Sequence, residues 1–215
     1  TGTTRNYYAS LKDIKRVISI EKNKILFGLS IMITRSRTLF IADSTVIHTP
    51  TSEELADIAV QAANVARNLG HIPRVGLLSF ANFGNPTMKG TERIHEAIEI
   101  LNKRKVDFEY DGEMSADVAL NKDLLKLYPF SGLSEPANVL IMPGLHSANI
   151  AAKLLGQVGG GQVMGPVLTG FSKSVQIMPI GANVSEILNY AMFAAYDAVP
   201  IKEKDTRKLS KISNK

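Results

Sequence analysis

A helix with clear start and stop signals lies between two strand patterns, and this unit constrains the fold more than any other part of the sequence. Thr51 and Glu54 have the spacing of a capping box at the start of the helix, and Gly70 stands where a left-handed C-terminal cap is expected. Thr38–Ala42 precedes the helix and Arg74–Phe80 follows it, both with the apolar centre of a buried strand. Strand, helix and strand in this order predict an α/β fold with a mostly parallel sheet.

The rest of the chain continues this alternation. Short apolar or alternating runs predict further strands, and apolar residues at helical spacing predict further helices. The segment 156–165 contains five glycines and predicts a loop or a tight crossover. The predicted strands are Ile25–Ile33, Asp107–Tyr110, Val139–Met142 and Val175–Met178, and the predicted helices run through Ile94–Leu101, His146–Leu155 and Asn183–Tyr196.

Ligands of such folds bind beyond the carboxyl ends of the strands. Candidate site residues are therefore expected in the segments that follow the predicted strands. Those segments are Ser79–Gly84, Asp111–Glu113, Pro143–His146 and Met178–Gly181.

Length and composition exclude several classes of protein. The 215 residues suffice for one large domain or two small lobes, and 45% hydrophobic residues exclude a disordered chain. The chain has no cysteine, which excludes disulfide frameworks and thiolate zinc sites and fits a cytoplasmic protein. No apolar stretch approaches the roughly 18 residues of a membrane-spanning helix, so no membrane partner is expected. The first residue is not methionine, and we expect the chain to be part of a longer protein.

The positive charge is concentrated at the end of the chain. The last fifteen residues hold six basic and two acidic residues, a net +4 of the total +5, which leaves +1 for the other 200 residues. A nearly neutral body has no clustered basic face for nucleic acid, and none is expected as a partner. Residues 199–215 are predicted to be a basic, flexible tail.

The common nucleotide and hydrolase motifs are absent. Gly159–Gly165 fails as a dinucleotide fingerprint because Met164 takes the place of the third glycine and a predicted helix precedes the segment. There is no Gly-Lys-Ser/Thr triplet and no Gly-x-Ser-x-Gly elbow. The four histidines have no metal-binding spacing, so no metal site is expected. His146 is the one histidine that follows a predicted strand and is a candidate catalytic residue, but a structural position at the start of a helix explains it better.

Two further groups of residues have both a chemical and a structural interpretation. Asp111 and Glu113 are either an acid–base pair at a strand exit or, with Gly112 between them, part of a turn. Asn149 and Lys153 lie one helical turn apart near the predicted helix start, where anions are favoured. A solvated lysine is the alternative for Lys153.

Several segments together resemble the phosphate acetyltransferase/butyryltransferase family. The resemblance is collinear over about residues 1–198. Residues 1–7 and 106–113 are similar, more narrowly, to the C-terminal acetyltransferase-like domain of bacterial hybrid NADP-dependent malic enzymes. The resembling segments are 40–46, 51–59, 73–80, 111–119, 137–143 with Asn149, Ile150 and Lys153, and 165–168.

The resemblance implies a particular architecture. The family is similar to isocitrate and isopropylmalate dehydrogenases, with two α/β lobes around a cleft, and it usually dimerises. By this likeness residues 1–23 belong to the first lobe, 24–165 form the second lobe and 166–198 return to the first, which is incomplete here. A homo-oligomer formed through this domain is expected.

Departures from the family pattern speak against transferase activity. Active members carry Ser-Arg-Gly where this chain has Pro179-Ile180-Gly181, followed by an acidic residue at the position of Glu186. Proline has no hydroxyl group, and isoleucine has no charge for a phosphate or an oxyanion. The phosphate-binding loop retains Ser79 and Gly84 but loses two hydroxyls.

The resemblance therefore implies a regulatory acetyl-CoA-binding domain of a malic enzyme, itself without a catalytic residue or a cofactor. NADP and a divalent metal would belong only to the malic-enzyme domain of the same chain. An active phosphate acetyltransferase and an oligomerisation module without ligand are the alternatives. The implied ligand residues are Asn149 and Lys153 for the CoA phosphates, Gly181 and Glu186 near the thioester, and Ser79 and Gly84 flanking it.

Overall fold

A six-stranded sheet forms the centre of the molecule. The computed structural model describes residues 5–85 and 90–199, so the predicted tail lies outside the described residues except for Val199. The strand order is β4-β3-β5-β2-β1-β6. β1 is antiparallel to β2 and β6, and the pairs β2–β5, β5–β3 and β3–β4 are parallel, which confirms an α/β fold with a mostly parallel sheet. The strands are β1 (Phe27–Ile33), β2 (Thr38–Ala42), β3 (Arg74–Leu78), β4 (Glu109–Met114), β5 (Val139–Ile141) and β6 (Gln162–Thr169).

Helices cover both faces of the sheet. α2, α3 and α7 pack with Phe27, Phe40 and Val75 on one face, while α4, α5 and α6 pack with Ile41 and Leu140 on the other. α1 closes a third, smaller cluster with β6. The helices are α1 (Tyr7–Val17), α2 (Ser52–Asn68), α3 (Glu92–Arg104), α4 (Ala116–Leu120), α5 (Lys122–Leu125), α6 (Leu145–Val158) and α7 (Val184–Ala198).

The start and stop signals of α2 and the start signal of α7 are confirmed. Both halves of the capping box are present at Thr51 and Glu54, and Gly70 has a φ of +89° just after α2. Asn183 and Glu186 form a second capping box at the start of α7. Among the described residues, no helix combines the length and the apolar character needed to cross a membrane.

Two predicted boundaries are wrong. The strand predicted at Asp107–Tyr110 is β4, which runs from Glu109 to Met114, so Asp111 and Glu113 lie within the strand and not beyond it. The glycine-rich segment is not one loop, because α6 continues to Val158 and β6 begins at Gln162. Only three residues connect the two elements.

The strand predicted at Val175–Met178 is also wrong, because a side chain takes the place of a strand there. β6 is an edge strand, and the Gln176 amide accepts from the Leu168 N–H at 2.8 Å and donates to the Leu168 carbonyl at 2.9 Å. These two bonds pair the outward-facing N–H and carbonyl of Leu168, which a seventh strand would otherwise pair.

Candidate ligand-binding cleft

A cleft of about 940 Å³ opens along the first half of β6, between α6 and the segment that follows β2. Its walls come from the start of α1, the segment after β2, the exposed side of α6 and the segment that leads into α7. Its lining includes the predicted residues Asn149, Lys153 and Glu186.

The starts of two helices face this cleft. The N-cap residues Asn6 of α1 and Asn183 of α7 both line it. A helix N-terminus carries a partial positive charge, and its first amides favour anions. Lys153 adds a cationic side chain to the lining, and so does Arg5, whose guanidinium also pairs with Asp13. The cleft is therefore suited to an anionic ligand.

Glu186 is the only carboxylate among the described residues that line the cleft. Its Oε2 accepts from the Asn183 N–H at 2.7 Å, and its own N–H donates to Asn183 Oδ1 at 3.0 Å. The structure thus gives Glu186 a capping role at the wall of the cleft.

α6 presents Asn149 and Lys153 to the cleft from adjacent turns. Asn149 Nδ2 donates to the Ser44 carbonyl at 3.2 Å, which ties α6 to the segment after β2. α6 begins at Leu145, so Lys153 lies about 12 Å along the axis from that first residue. The expectation that the N-terminus of this helix assists Lys153 is wrong; the helix ends that face the cleft belong to α1 and α7.

Buried polar groups build the floor. Ser30 Oγ donates to Ser44 Oγ at 2.9 Å, and both side chains line the cleft. Asp43 is only 3% exposed, and its carboxylate accepts backbone N–H bonds from Gly28 at 2.9 Å and Thr45 at 2.8 Å. Val46 and Ile47 donate to the same carboxylate. Burial raises the pKa of Asp43, and these four donors act in the opposite direction.

Two tyrosine hydroxyls near the floor are buried. They belong to Tyr7, which lines the cleft, and to Tyr190, which is 4% exposed. Burial raises the pKa of both phenols above their ordinary value, so both are neutral donors. The Tyr7 hydroxyl is itself buried, and the neighbouring Thr45 side chain acts against the rise of its pKa, so it is not offered to a ligand in the cleft.

The segment before α7 forms an apolar wall. Pro179 and Ile180 both line the cleft, and Ile180 is 62% exposed. Gly181 is exposed and adjacent to Ile180 in sequence, but it does not line the cleft. No hydroxyl or charge is offered by this pair.

Ser79 and Gly84 do not line the cleft. They follow β3, which β5, β2 and β1 separate from β6. The Ser79 N–H donates to the Met114 carbonyl at 2.9 Å, and the Gly84 N–H donates to Glu113 Oε1 at 3.1 Å. The structure holds this loop against β4.

The acidic pair of β4 is divided between two structural roles. Glu113 is fully buried, and its Oε1 lies 3.3 Å from His95 Nε2 in addition to the bond from Gly84. Asp111 accepts backbone N–H bonds from Gly112 and Gly132 at 2.8 and 2.7 Å. The two carboxylates therefore do not converge on a common ligand. The alternative of a turn is wrong as well, because both residues lie within β4.

Sequence reasoning missed the contribution of α1 to the cleft. Arg5, Asn6 and Tyr7 line it, and the sequence carried a usable signal: Asn6 is a capping residue. The signal continues with apolar side chains at helical spacing, namely Tyr7, Leu11, Ile14 and Ile18.

Comparisons with known proteins agree with this architecture. The sequence model of the family described as phosphate acetyl/butaryl transferase matches residues 1–195. An NADP-dependent malic enzyme of Rhizobium meliloti (strain 1021) is 50% identical over 198 residues, which are 92% of this chain and 26% of that protein. The chain thus spans about a quarter of the length of its malic-enzyme relatives. The resemblance to both groups seen in the sequence is confirmed.

Two further matches connect the chain to phosphate acetyltransferases. The phosphate acetyltransferase of Clostridium acetobutylicum is 33% identical over 183 residues, 81% of this chain and 55% of that protein. The crystal structure of a phosphotransacetylase from Streptococcus pyogenes superimposes with a TM-score of 0.85 at 27% identity, covering 92% of this chain and 61% of that one.

Proposed function

The chain belongs to the phosphate acetyl/butyryl transferase family, and from this premise we propose that it binds acetyl-CoA in the cleft without transferring the acetyl group. We further propose that it serves as a regulatory domain of a malic enzyme, which oxidatively decarboxylates malate to pyruvate with NADP. The identity to malic enzymes supports this assignment. NADP and the divalent metal would be held by the malic-enzyme domain, the proposed partner within the same chain.

The electrostatics of the cleft support a ligand such as acetyl-CoA. Lys153 and Arg5 would face the CoA phosphates, together with the N-termini of α1 and α7. A volume of about 940 Å³ lies at the upper end of the range for small-molecule sites, about 300–1,000 Å³. Asn149 would keep α6 in place through its bond to Ser44.

The apolar pair Pro179 and Ile180 is the observation that carries the proposed lack of catalysis. Acyl transfer develops negative charge on the carbonyl oxygen, and catalysis requires a donor or a cation aimed at that oxygen. Proline and isoleucine supply neither at the wall they form. The same pair argues against the alternative of an active phosphate acetyltransferase.

Regulation requires that acetyl-CoA bind two states of the protein unequally, because a ligand with equal affinity for both shifts nothing. The cleft offers a means of unequal binding. Its walls come from separate segments, the start of α1, α6 and the start of α7, and a ligand that bridges them would favour the arrangement in which they lie close together.

Release of free thiol from acetyl-CoA in phosphate buffer tests the proposed lack of catalysis. We expect the complete protein to release no more thiol than a heat-killed control. The paired change Pro179→Ser and Ile180→Arg restores the family pattern, and we expect it to raise thiol release above that control. Rapid release by the unsubstituted protein would contradict the proposal.

An oligomerisation role has its own support. Ile150, Leu154 and Val158 recur at four-residue spacing along α6 and are 63%, 61% and 76% exposed. An apolar row of this kind on a helix surface is typical of an interaction face. We propose that a second copy of the chain covers this row.

A further inference from the structure

We propose that His48 and His146 bind a divalent transition-metal ion such as Zn²⁺. The two Nε2 atoms lie 3.2 Å apart, and the rings stand at 79° with their centroids 4.8 Å apart. His48 follows β2 and His146 is the second residue of α6. This pair plays no part in the proposed binding of acetyl-CoA.

The separation of the two nitrogens matches a shared metal ion. Zn²⁺ bonds imidazole nitrogen at about 2.0–2.1 Å, so two ligands of a tetrahedral site lie about 3.3–3.4 Å apart. The observed 3.2 Å therefore needs only a small adjustment of the rings. Imidazole is also a ligand for Cu²⁺ and Ni²⁺, so the site would accept these ions as well.

The backbone holds the two histidines in position before any ion binds. The Leu145 N–H donates to the His48 carbonyl at 3.1 Å, which ties the start of α6 to the segment after β2. A Cβ at Gly144 would lie 3.1 Å from the same carbonyl oxygen, so the glycine permits this close approach. The two rings therefore face each other through a fixed backbone contact.

A neighbouring hydroxyl favours the metal-binding tautomer of His48. His48 Nδ1 lies 3.0 Å from Thr49 Oγ1. With that hydroxyl as acceptor, Nδ1 carries the proton and Nε2 presents its lone pair, as in a metal-bound histidine. His146 lies in the first turn of α6, whose partial positive charge opposes a cation, so we expect moderate affinity.

The ion would keep open coordination positions. Among the described residues, no group of three or more histidine, cysteine or carboxylate side chains is placed to hold a metal. Water or an added ligand would complete the coordination of an ion held by these two histidines. An open position of this kind is a feature of accessible metal sites and not of closed structural ones.

Zn²⁺ titration of the complete protein, stripped with a chelator and monitored by competition with a colorimetric zinc indicator, tests the proposal. We expect the double variant His48→Asn, His146→Asn to bind one Zn²⁺ fewer per chain than the unsubstituted protein. Each single variant removes one of the two ligands. Removal of a residue that only hydrogen-bonds a metal ligand already lowers affinity roughly tenfold, so we expect each single variant to bind Zn²⁺ at least tenfold more weakly. His95→Gln is the matched control, because His95 pairs with Glu113 and an amide can still donate there.

The electron paramagnetic resonance spectrum of bound Cu²⁺ reports which nitrogen atoms coordinate the ion. We expect nitrogen couplings from two imidazoles in the unsubstituted protein and from fewer in the single variants. Both histidines are exposed, so a circular dichroism spectrum should show that the variants remain folded. Equal Zn²⁺ stoichiometry and affinity in the double variant and the unsubstituted protein would overturn the proposal.

Discussion

Asp43 is the residue on which the floor of the cleft depends. Its buried carboxylate gathers backbone N–H groups from Gly28 and from the three residues Thr45–Ile47. Among the residues that the structure describes, no side-chain cation pairs with this carboxylate; backbone hydrogen bonds stabilise it instead. Such a network fixes the path of the chain from β2 into the cleft, where Ser44 and Thr45 line the wall.

We predict that Asp43→Asn lowers the free energy of unfolding by about 2–3 kcal/mol, because the amide N–H₂ would face N–H donors and leave them unsatisfied. Denaturant unfolding measures the loss. Asp123→Asn is the control, since the exposed Asp123 carboxylate accepts from the surface ammonium of Lys126. Equal stability of the two variants would show that the buried carboxylate is not needed.

For Tyr190 we expect the opposite effect of substitution on stability. Its hydroxyl is buried without a hydrogen-bond partner among the described residues. We predict that Tyr190→Phe leaves stability unchanged or raises it by up to about 1 kcal/mol, because no hydrogen bond is lost and a desolvated hydroxyl is removed. Thermal unfolding measures the change. A clear loss of stability would mean that the hydroxyl has a partner, such as an ordered water.

At the scale of single elements, β6 depends on one glycine. The register between β1 and β6 shifts at Ser30, so that Gly165 and Pro166 together stand opposite one residue of β1. Gly165 has a φ of +124°, and a Cβ there would lie 2.7 Å from the Leu29 carbonyl oxygen. A side chain at this position is therefore strained in both conformation and space.

We predict that Gly165→Ala destabilises the protein by about 1–3 kcal/mol through this strain. Gly181→Ala is the matched control, because a Cβ at Gly181 meets nothing within 4 Å. Chemical denaturation of the two variants makes the comparison. If Gly165→Ala is as stable as Gly181→Ala, the bulge in β6 does not have the conformation described.

The elements that the sequence predicts correctly have local signals, whereas the element that it misses depends on pairing with a distant strand. The capping boxes at Thr51 and Asn183 and the apolar core of β5 are local patterns, and they identified α2, α7 and β5 correctly. β6 contains Gly165-Pro166, which locally reads as a turn and forms a strand only because β1 pairs with it around a bulge in β6. Long-range pairing of this kind leaves no mark in a single sequence.

The candidate site likewise follows from the sequence only where its signal is local. The spacing of Asn149 and Lys153 on one helix predicts that they face the same way, and both line the cleft. Ser30 lies in β1 and Ser44 in the segment after β2, and only the antiparallel pairing of β1 and β2 brings them together at the floor. No motif in the sequence connects them.

At the scale of the whole molecule, the apolar row on α6 bears on assembly. We predict that Leu154→Glu lowers the oligomeric state of the complete protein, because a charge in the centre of the row opposes its burial. Size-exclusion chromatography with light scattering measures the mass. Lys103→Glu, on the exposed last turn of α3, is the control. An unchanged mass for Leu154→Glu would place the interface elsewhere.

The cleft is the other feature of the whole molecule, because it requires α1, α6, β6 and α7 together. The central proposal is that acetyl-CoA binds in this cleft through Lys153. Calorimetric titration of acetyl-CoA into the complete protein, beside its Lys153→Ala and Lys103→Ala variants, tests this claim most directly. We predict saturable binding that is about tenfold weaker in Lys153→Ala, a change of about 1.4 kcal/mol, and unaltered in Lys103→Ala. Absence of saturable binding, or equal affinity in all three proteins, would contradict it.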